Sequence, residues 1–503
     1  MELNILNAAR INISKSNIVS NFIWKFAERI GNQLVSLIVT IVLARLLSPS
    51  EYGLIAMGAV FITIANEFVA TSFTNALIQK KDADNIDFSS VLFLNIGISI
   101  IMYGIIFITA PMIADFYDYE ILTPVMRVLG LNLIIAAINS VQQAYISRNM
   151  IFKKFFYSTL GATLSSAIVG ISMAYMGFGV WALVVQNILS GIVATCIIWF
   201  TVDWRPQRIF SINRVKGLFT FGWKLLGAGL LNTLSNQSNQ LIIGKMYASS
   251  DLAYYNKGLL FPSMIMININ ASINSVMFPV IVMAQDDCER LKMLTRKFVR
   301  VSSYFIFPMM TGLAAIADPL ISLLLTDKWL YCIPYLRIGC FIYSATIIQI
   351  AVQNAIMALG RSDVFLKMDI IRKILGISIL IAVMNHGVMA IALFSIITAS
   401  FSIVMVAIVS KHMIGYGYRE HIYDNIPILI VSVIMGFLVY MFKFLELPNI
   451  ITLLIQLPVG FITYMTLSLW FKFDGFILAV EYLKKLICIF PVYSIRSCGA
   501  KKS

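Results

Sequence analysis

The stretch Asn21 to Gly53 reads NFIWKFAERIGNQLVSLIVTIVLARLLSPSEYG. Its second half, Leu34 to Leu47, is apolar enough to sit in lipid. Lys25, Arg29, Asn32, Ser36 and Thr40 recur every three or four residues and therefore share one helical face. A helix in lipid with one polar stripe turns that stripe toward other protein or toward water. The stretch predicts a long membrane helix walling a hydrated cavity, followed by a tight break at Ser48-Pro49-Ser50.

The whole chain repeats this character. It has 503 residues, 59% hydrophobic and only 12% charged, with a mean hydropathy of +0.86. A soluble protein carries roughly 25% charged residues. Apolar runs of spanning length recur from Phe22 to Phe471, giving about fourteen expected spans. They fall at 22–46, 53–78, 88–110, 123–146, 156–176, 179–200, 218–245, 254–283, 300–317, 331–359, 366–384, 387–410, 426–444 and 450–471. A β-barrel would show short alternating segments instead. The first twenty residues have neither an apolar core nor a small-residue cleavage site, so no signal peptide is expected there. The six cysteines are scattered singly and suggest neither a disulfide frame nor a metal site.

The net charge of +14 is topological in its distribution. Connections after even-numbered spans are basic: Lys80-Lys81, then Arg148, Lys153 and Lys154, then Arg205, Arg208, Arg214 and Lys216, with further clusters at 290–300, 361–373 and 411–419. Ala114 to Thr123, after an odd-numbered span, holds Asp115, Asp118 and Glu120 and no cation. The positive-inside rule then places both termini in the cytoplasm, and no nucleic-acid partner is expected.

The chain also matches itself at a spacing of about 200 residues. Phe22-Ile23-Trp24-Lys25 pairs with Phe221-Gly222-Trp223-Lys224, and Ala44-Arg45 through Ser50-Glu51 with Gly244-Lys245 through Ser250-Asp251. Ile113-Ala114-Asp115 pairs with Ile316-Ala317-Asp318, Pro124 and Arg127 with Pro334 and Arg337, and Gly179-Val180-Trp181-Ala182 with Gly387-Val388-Met389-Ala390. Six spans per copy is an even number, so both copies enter from the same side. The expected fold is an all-α polytopic membrane protein: two parallel pseudo-symmetric six-helix bundles around a central cavity, plus two C-terminal helices. The expected divisions are a tail at 1–20, bundles at 21–205 and 206–412, two added helices at 413–472 and a tail at 473–503.

This plan is a transporter plan, with no covalent chemistry and no enzyme signature. Candidate residues follow from their place on the polar stripes. Lys25, Arg29 and Lys224 are candidates to meet an anionic head group, against the alternative that they snorkel to the membrane surface. Asn232, Asn236, Asn270 and Asn274 are candidates to bind sugar hydroxyls, as are Asn139, Gln142 and Gln353, with helix-to-helix hydrogen bonding the competing role. Glu67 falls near the middle of the second span, where a lone carboxylate needs a partner or a proton. It reads as a coupling site for H⁺ or Na⁺, a counter-ion to Arg29, or a structural pair. Arg127 and Arg337 are exit-side candidates or interfacial anchors. His386, His412 and His421 fall in connections and receive no chemistry, and Asp286 to Arg300 reads as an amphipathic surface helix.

Leu43-Ala44-Arg45-Leu46-Leu47-Ser48-Pro49-Ser50-Glu51-Tyr52-Gly53 resembles the first-loop signature of bacterial polysaccharide exporters. Ser140-Val141-Gln142-Gln143-Ala144 through Arg148-Asn149-Met150-Ile151-Phe152 resembles the end of their fourth span. The chain is similar to the lipid-linked oligosaccharide flippases of the multidrug/oligosaccharidyl-lipid/polysaccharide exporter superfamily, in the colanic and teichuronic acid exporter branch. The resemblance implies translocation of an undecaprenyl-pyrophosphate-linked repeat unit across the bacterial inner membrane for O-antigen, lipopolysaccharide or exopolysaccharide synthesis. It also implies a polysaccharide polymerase and a chain-length regulator as associated proteins. The competing expectation is a cation-coupled multidrug exporter of the same superfamily, which calls for acidic residues deep in the cavity.

Overall fold

The computed structural model describes residues 15–71, 74, 77–78, 80, 83–471 and 473–477. Those residues are almost entirely helical, and no strand occurs among them. The first unit, up to Ala253, contains α1 (Lys15–Leu46), α2 (Pro49–Asn66), a π-helical turn (Glu67–Thr71), α3 (Asn85–Tyr117), α4 (Leu122–Leu129), α5 (Leu131–Asn149), α6 (Phe152–Tyr175), α7 (Val180–Thr201) and α8 (Ile212–Met246). The second unit, from Tyr254, contains most of α9 (Ser249–Val282), then α10 (Cys288–Ala315), α11 (Ala317–Leu325), a 3₁₀ turn (Asp327–Cys332), α12 (Ile333–Ala358), α13 (Ser362–Val383), α14 (Val388–Ile414), α15 (Tyr418–Met441) and α16 (Asn449–Phe471).

Among the described residues, eleven helical segments are long and apolar enough to cross a membrane. The protein is a multi-pass membrane protein. Three further helices, α8, α9 and α13, occupy the expected spans 218–245, 254–283 and 366–384. α13 holds Lys367, Asp369, Arg372 and Lys373 and is too charged to count as a span by composition alone. Asp369 pairs with both Arg372 and Lys373 one turn away, so much of that charge is neutralised within the helix.

The break between α1 and α2 follows from its sequence. Ser48 is extended at φ −82°, its Oγ accepts from the Glu51 backbone N–H, and the Glu51 carboxylate accepts from the Ser48 N–H at 2.7 Å. This reciprocal capping box, with Pro49 in the first turn, starts α2 within two residues of the end of α1. The apolar face of α1 (Val39, Leu43), with Leu47 just beyond its end, packs on Ala167, Ala174, Ala182 and Leu183 of α6 and α7. Small residues on the partner helices allow that close approach. A second core gathers Phe88, Val91, Val141, Ile198 and Trp204, where the Gln142 amide donates to the Trp204 carbonyl at 3.3 Å. Gln142 is fully buried in this packing role.

In the second unit, the stretch expected as a separate surface helix at 286–300 is instead the first half of α10, which runs unbroken to Ala315. No glycine or proline interrupts Val301 to Phe307, and Pro308 is absorbed inside the helix. The basic face of α10 is tied to α15. Asp424, 3% exposed, accepts from Arg296 Nε and Arg300 Nε at 2.8 Å each and from the Tyr416 hydroxyl at 2.9 Å. Lys292 pairs with Glu420 at 2.8 Å, and Arg300 also reaches Asp474. Burial, and after it the neighbouring Asp424 charge, raises the Tyr416 phenol well above its ordinary range, so it donates as a neutral hydroxyl. His421, expected in a connection, lies in the first turn of α15 and is buried against Tyr416, with ring centroids 3.7 Å apart.

Removing the shared carboxylate leaves Arg296 with Glu420 at 3.5 Å and Arg300 with Asp474 at 2.6 Å as their remaining partners. Asp424→Ala is expected to lower stability by about 2–4 kcal/mol, below the cost of a fully buried pair because both arginines are about one-third exposed. The unfolding midpoint of the detergent-solubilised variant measures this.

Candidate functional site

The polar stripe of α1 finds its partners inside the first unit. Asn32, Ser36 and Thr40 line a cavity of about 430 Å³ together with Asn132 of α5, Thr163 and Ser166 of α6, and Gln186, Asn187 and Ser190 of α7. A second cavity of about 460 Å³ adjoins it and shares Asn132, Asn187 and Gly191 as lining. Its walls add Thr63 and Asn66 of α2, Thr74, and Asn139, Ser140 and Gln143 of α5. Every polar lining group is an amide or a hydroxyl, and no charged side chain lines either cavity among the described residues.

Hydrogen bonds across the walls hold this lining in place. The Thr163 hydroxyl donates to Asn32 Oδ1 at 2.6 Å, and Asn132 Nδ2 donates to Asn187 Oδ1 at 3.2 Å. Each amide keeps a second hydrogen-bonding group beyond the bond it makes. Asn139 lines the second cavity. Thr163, Ser166, Gln186, Asn187 and Ser190 were not singled out from sequence, although polar residues at helical spacing in α6 and α7 were the available signal.

Glu67 opens the π-helical turn at the end of α2. Thr233 of α8 donates its hydroxyl to Glu67 Oε1 at 2.9 Å. Gly229, one turn earlier on α8, lets the carboxylate approach, because a Cβ there would lie 2.9 Å from Oε2. The carboxylate therefore lies against α8, while its neighbour Asn66 faces the cavity.

At the Ser48 end of α2, two repeat-mate turns meet. Ser50 Oγ and Ser249 Oγ are 2.7 Å apart, and the Ser249 N–H donates to the Tyr119 hydroxyl at 3.3 Å. Gly53 packs directly on the Ser249 carbonyl, where a Cβ would come within 1.8 Å of the oxygen. Lys245 reaches Asp118 at 3.1 Å and lies over the Phe116 ring. The turn between α8 and α9 is thus clasped by α2 and by the α3–α4 turn.

The remaining candidates are distributed as follows. The side chains of Lys25 and Lys224 lie outside the described part of the structure. Arg29 is half-buried on α1. Asn232 and Asn236 are exposed on α8. Asn270 and Asn274 form a hydrogen-bonded chain with Asn354, at 2.9 and 2.6 Å, linking α9 to α12 in the second unit. Arg127 donates to the Phe107 carbonyl and lies 4.4 Å over the Phe107 ring. Arg337 pairs with Asp318, which also holds Lys443 at 3.1 Å.

Residues 42–334 match the family model described as polysaccharide biosynthesis protein. The chain belongs to that family. It is 23% identical over 417 residues to the lipopolysaccharide biosynthesis protein WzxC of Escherichia coli, covering 80% of this chain and 84% of the relative. It is 24% identical over 324 residues to the succinoglycan biosynthesis transport protein ExoT of Rhizobium meliloti, covering 64% and 66%. Its fold is similar to that of the lipid II flippase MurJ in an inward closed conformation, with TM-score 0.70 at 14% identity over 90% of this chain and 99% of that one. It is also similar to an inward-facing multidrug resistance MATE family transporter, with TM-score 0.60 at 15% identity over 76% and 94%. The family member described here is a membrane transporter of polysaccharide biosynthesis and not an enzyme.

Proposed function

We propose that this transporter flips an undecaprenyl-pyrophosphate-linked oligosaccharide repeat unit from the cytoplasmic to the outer leaflet by alternating access. On this reading both termini are cytoplasmic, the membrane is the bacterial inner membrane, and a polymerase and chain-length regulator receive the product. A glycan head cannot cross hydrocarbon unaided, because each unpaired polar group costs several kcal/mol there. The polyprenyl tail stays in lipid, so the protein need only shield the head.

The observation that supports this reading is the cavity lining of amides and hydroxyls. Such groups both donate and accept, as sugar hydroxyls do. A drug cation wants a carboxylate or aromatic faces, and neither lines these cavities among the described residues. The test is deletion of the gene. Lipid-linked repeat units are expected to accumulate in the inner leaflet with loss of surface polysaccharide. Normal polysaccharide with failed dye efflux would transfer the protein to the multidrug reading.

A further inference from the structure

We infer that the paired cavities of the first unit seat one uncharged, hydroxyl-rich sugar residue of the cargo, and that the pyrophosphate is held elsewhere. This rests on the glycan-carrying reading and names the part of the glycan that each wall recognises. Both cavities, at about 430 and 460 Å³, fall in the range of roughly 300–1,000 Å³ that holds small-molecule ligands.

The sign of the unsatisfied groups selects the ligand. Asn66 Oδ1, Thr74 Oγ1 and Asn139 Oδ1 are buried and have no hydrogen-bond partner among the described residues. All three belong to the lining of one cavity. Two of them are amide oxygens that can only accept; they are covered in this state, so a donor in the cavity reaches them after a side-chain rotation that turns the amide inward. A pyrophosphate oxygen is itself an acceptor and carries negative charge into a space with no cation in its lining among the described residues. An ammonium would donate, but it would be desolvated with no counter-charge. A neutral sugar hydroxyl supplies the donor with no such cost, and it accepts from the second groups of Asn32 and Asn187.

Gly191 is one of three residues, with Asn132 and Asn187, that line both spaces. A Cβ there would lie 3.1 Å from Ile135 Cγ2 and 3.2 Å from Asn132 Oδ1. A large side chain at this position takes up space that lines both cavities.

The experiment uses the full chain in nanodiscs and saturation-transfer NMR with a panel of neutral methyl glycosides, with inorganic pyrophosphate as competitor. Wild-type protein is expected to transfer saturation to at least one glycoside, undiminished by pyrophosphate. Gly191→Leu is expected to lose that signal, and Asn66→Ala, which adds no bulk, to reduce it by about fivefold through one lost hydrogen bond. Ser172→Leu, at an exposed position of α6, is the control expected to keep it. Asn66→Ala carries the test if Gly191→Leu does not elute as a folded species. Signal that survives in both cavity variants, absence of any glycoside signal in the wild type, or displacement by pyrophosphate would overturn the seat. Complementation separates the two claims. If deletion causes lipid-linked repeats to accumulate yet folded Gly191→Leu restores surface polysaccharide fully, the seat is wrong and the flippase reading stands. If deletion leaves those repeats unchanged, the flippase reading itself is lost.

Discussion

Oxidation of a Ser50→Cys/Ser249→Cys variant, built in a chain stripped of its six native cysteines, is expected to stop transport, and reductant is expected to restore it. The two hydroxyl oxygens are 2.7 Å apart in this structure, which brings the substituted sulfur atoms within reach of one another after small rotamer changes. A transporter that alternates between states must separate some contacts in one of them. The clasp of Ser50, Gly53 and Tyr119 on the α8–α9 turn joins elements that the sequence repeat relates to one another. A covalent tie there should freeze one state with the fold intact. Gly53→Val provides the opposite perturbation. Its side chain cannot coexist with the Ser249 carbonyl, so this variant should favour the separated state. Full transport by the oxidised double-cysteine variant, with the crosslink confirmed by mass spectrometry, would show that these turns stay together throughout the cycle.

Glu67→Gln is expected to reduce gradient-driven transport about tenfold or more while leaving the protein folded. Glutamine keeps an oxygen to accept from Thr233, so the α2–α8 contact survives and only the charge and the exchangeable proton are lost. A charge-assisted hydrogen bond exceeds a neutral one by about 1–1.5 kcal/mol, and 1.4 kcal/mol is tenfold. Thr233→Val separates the two roles, because it leaves the carboxylate but removes its donor. If Glu67 couples transport to H⁺ or Na⁺, Thr233→Val should shift the pH or Na⁺ dependence of transport, whereas Glu67→Gln should abolish that dependence. Unchanged flux in Glu67→Gln under an imposed gradient would leave the residue as a structural partner of α8.

Much of the fold is legible in the sequence because the bilayer leaves few solutions. Long apolar runs must be helices, and the Ser48-Pro49-Ser50-Glu51 sequence can start one only at its capping box. The polar stripe of α1 is equally legible, and Asn32, Ser36 and Thr40 do face a cavity. Its partners are not. Helical spacing shows that two faces are polar, but not that the face of α1 meets those of α6 and α7. The ties of α10 are hidden for another reason. An amphipathic, basic stretch looks the same whether it lies along a surface or leads into a spanning helix, and only long-range pairing with Asp424 decides. Asn274 illustrates the third limit. Its amide can serve a ligand or another helix, and in the structure it bridges Asn270 and Asn354.

The bond between Arg296 and Asp424 spans 128 residues of chain, which sets an order on biogenesis. During synthesis α10 emerges long before α15, so its arginines must wait in the translocation machinery or against lipid head groups until the late helix arrives. Ser303 then meets Asn425, and Tyr464 of α16 reaches the Tyr304 carbonyl. The packing of α10 in the second unit therefore depends on α15 and α16, which are made after it. A chain that ended with α14 at Ile414 would lack both the Asp424 carboxylate and the Tyr464 hydroxyl that hold α10 in place.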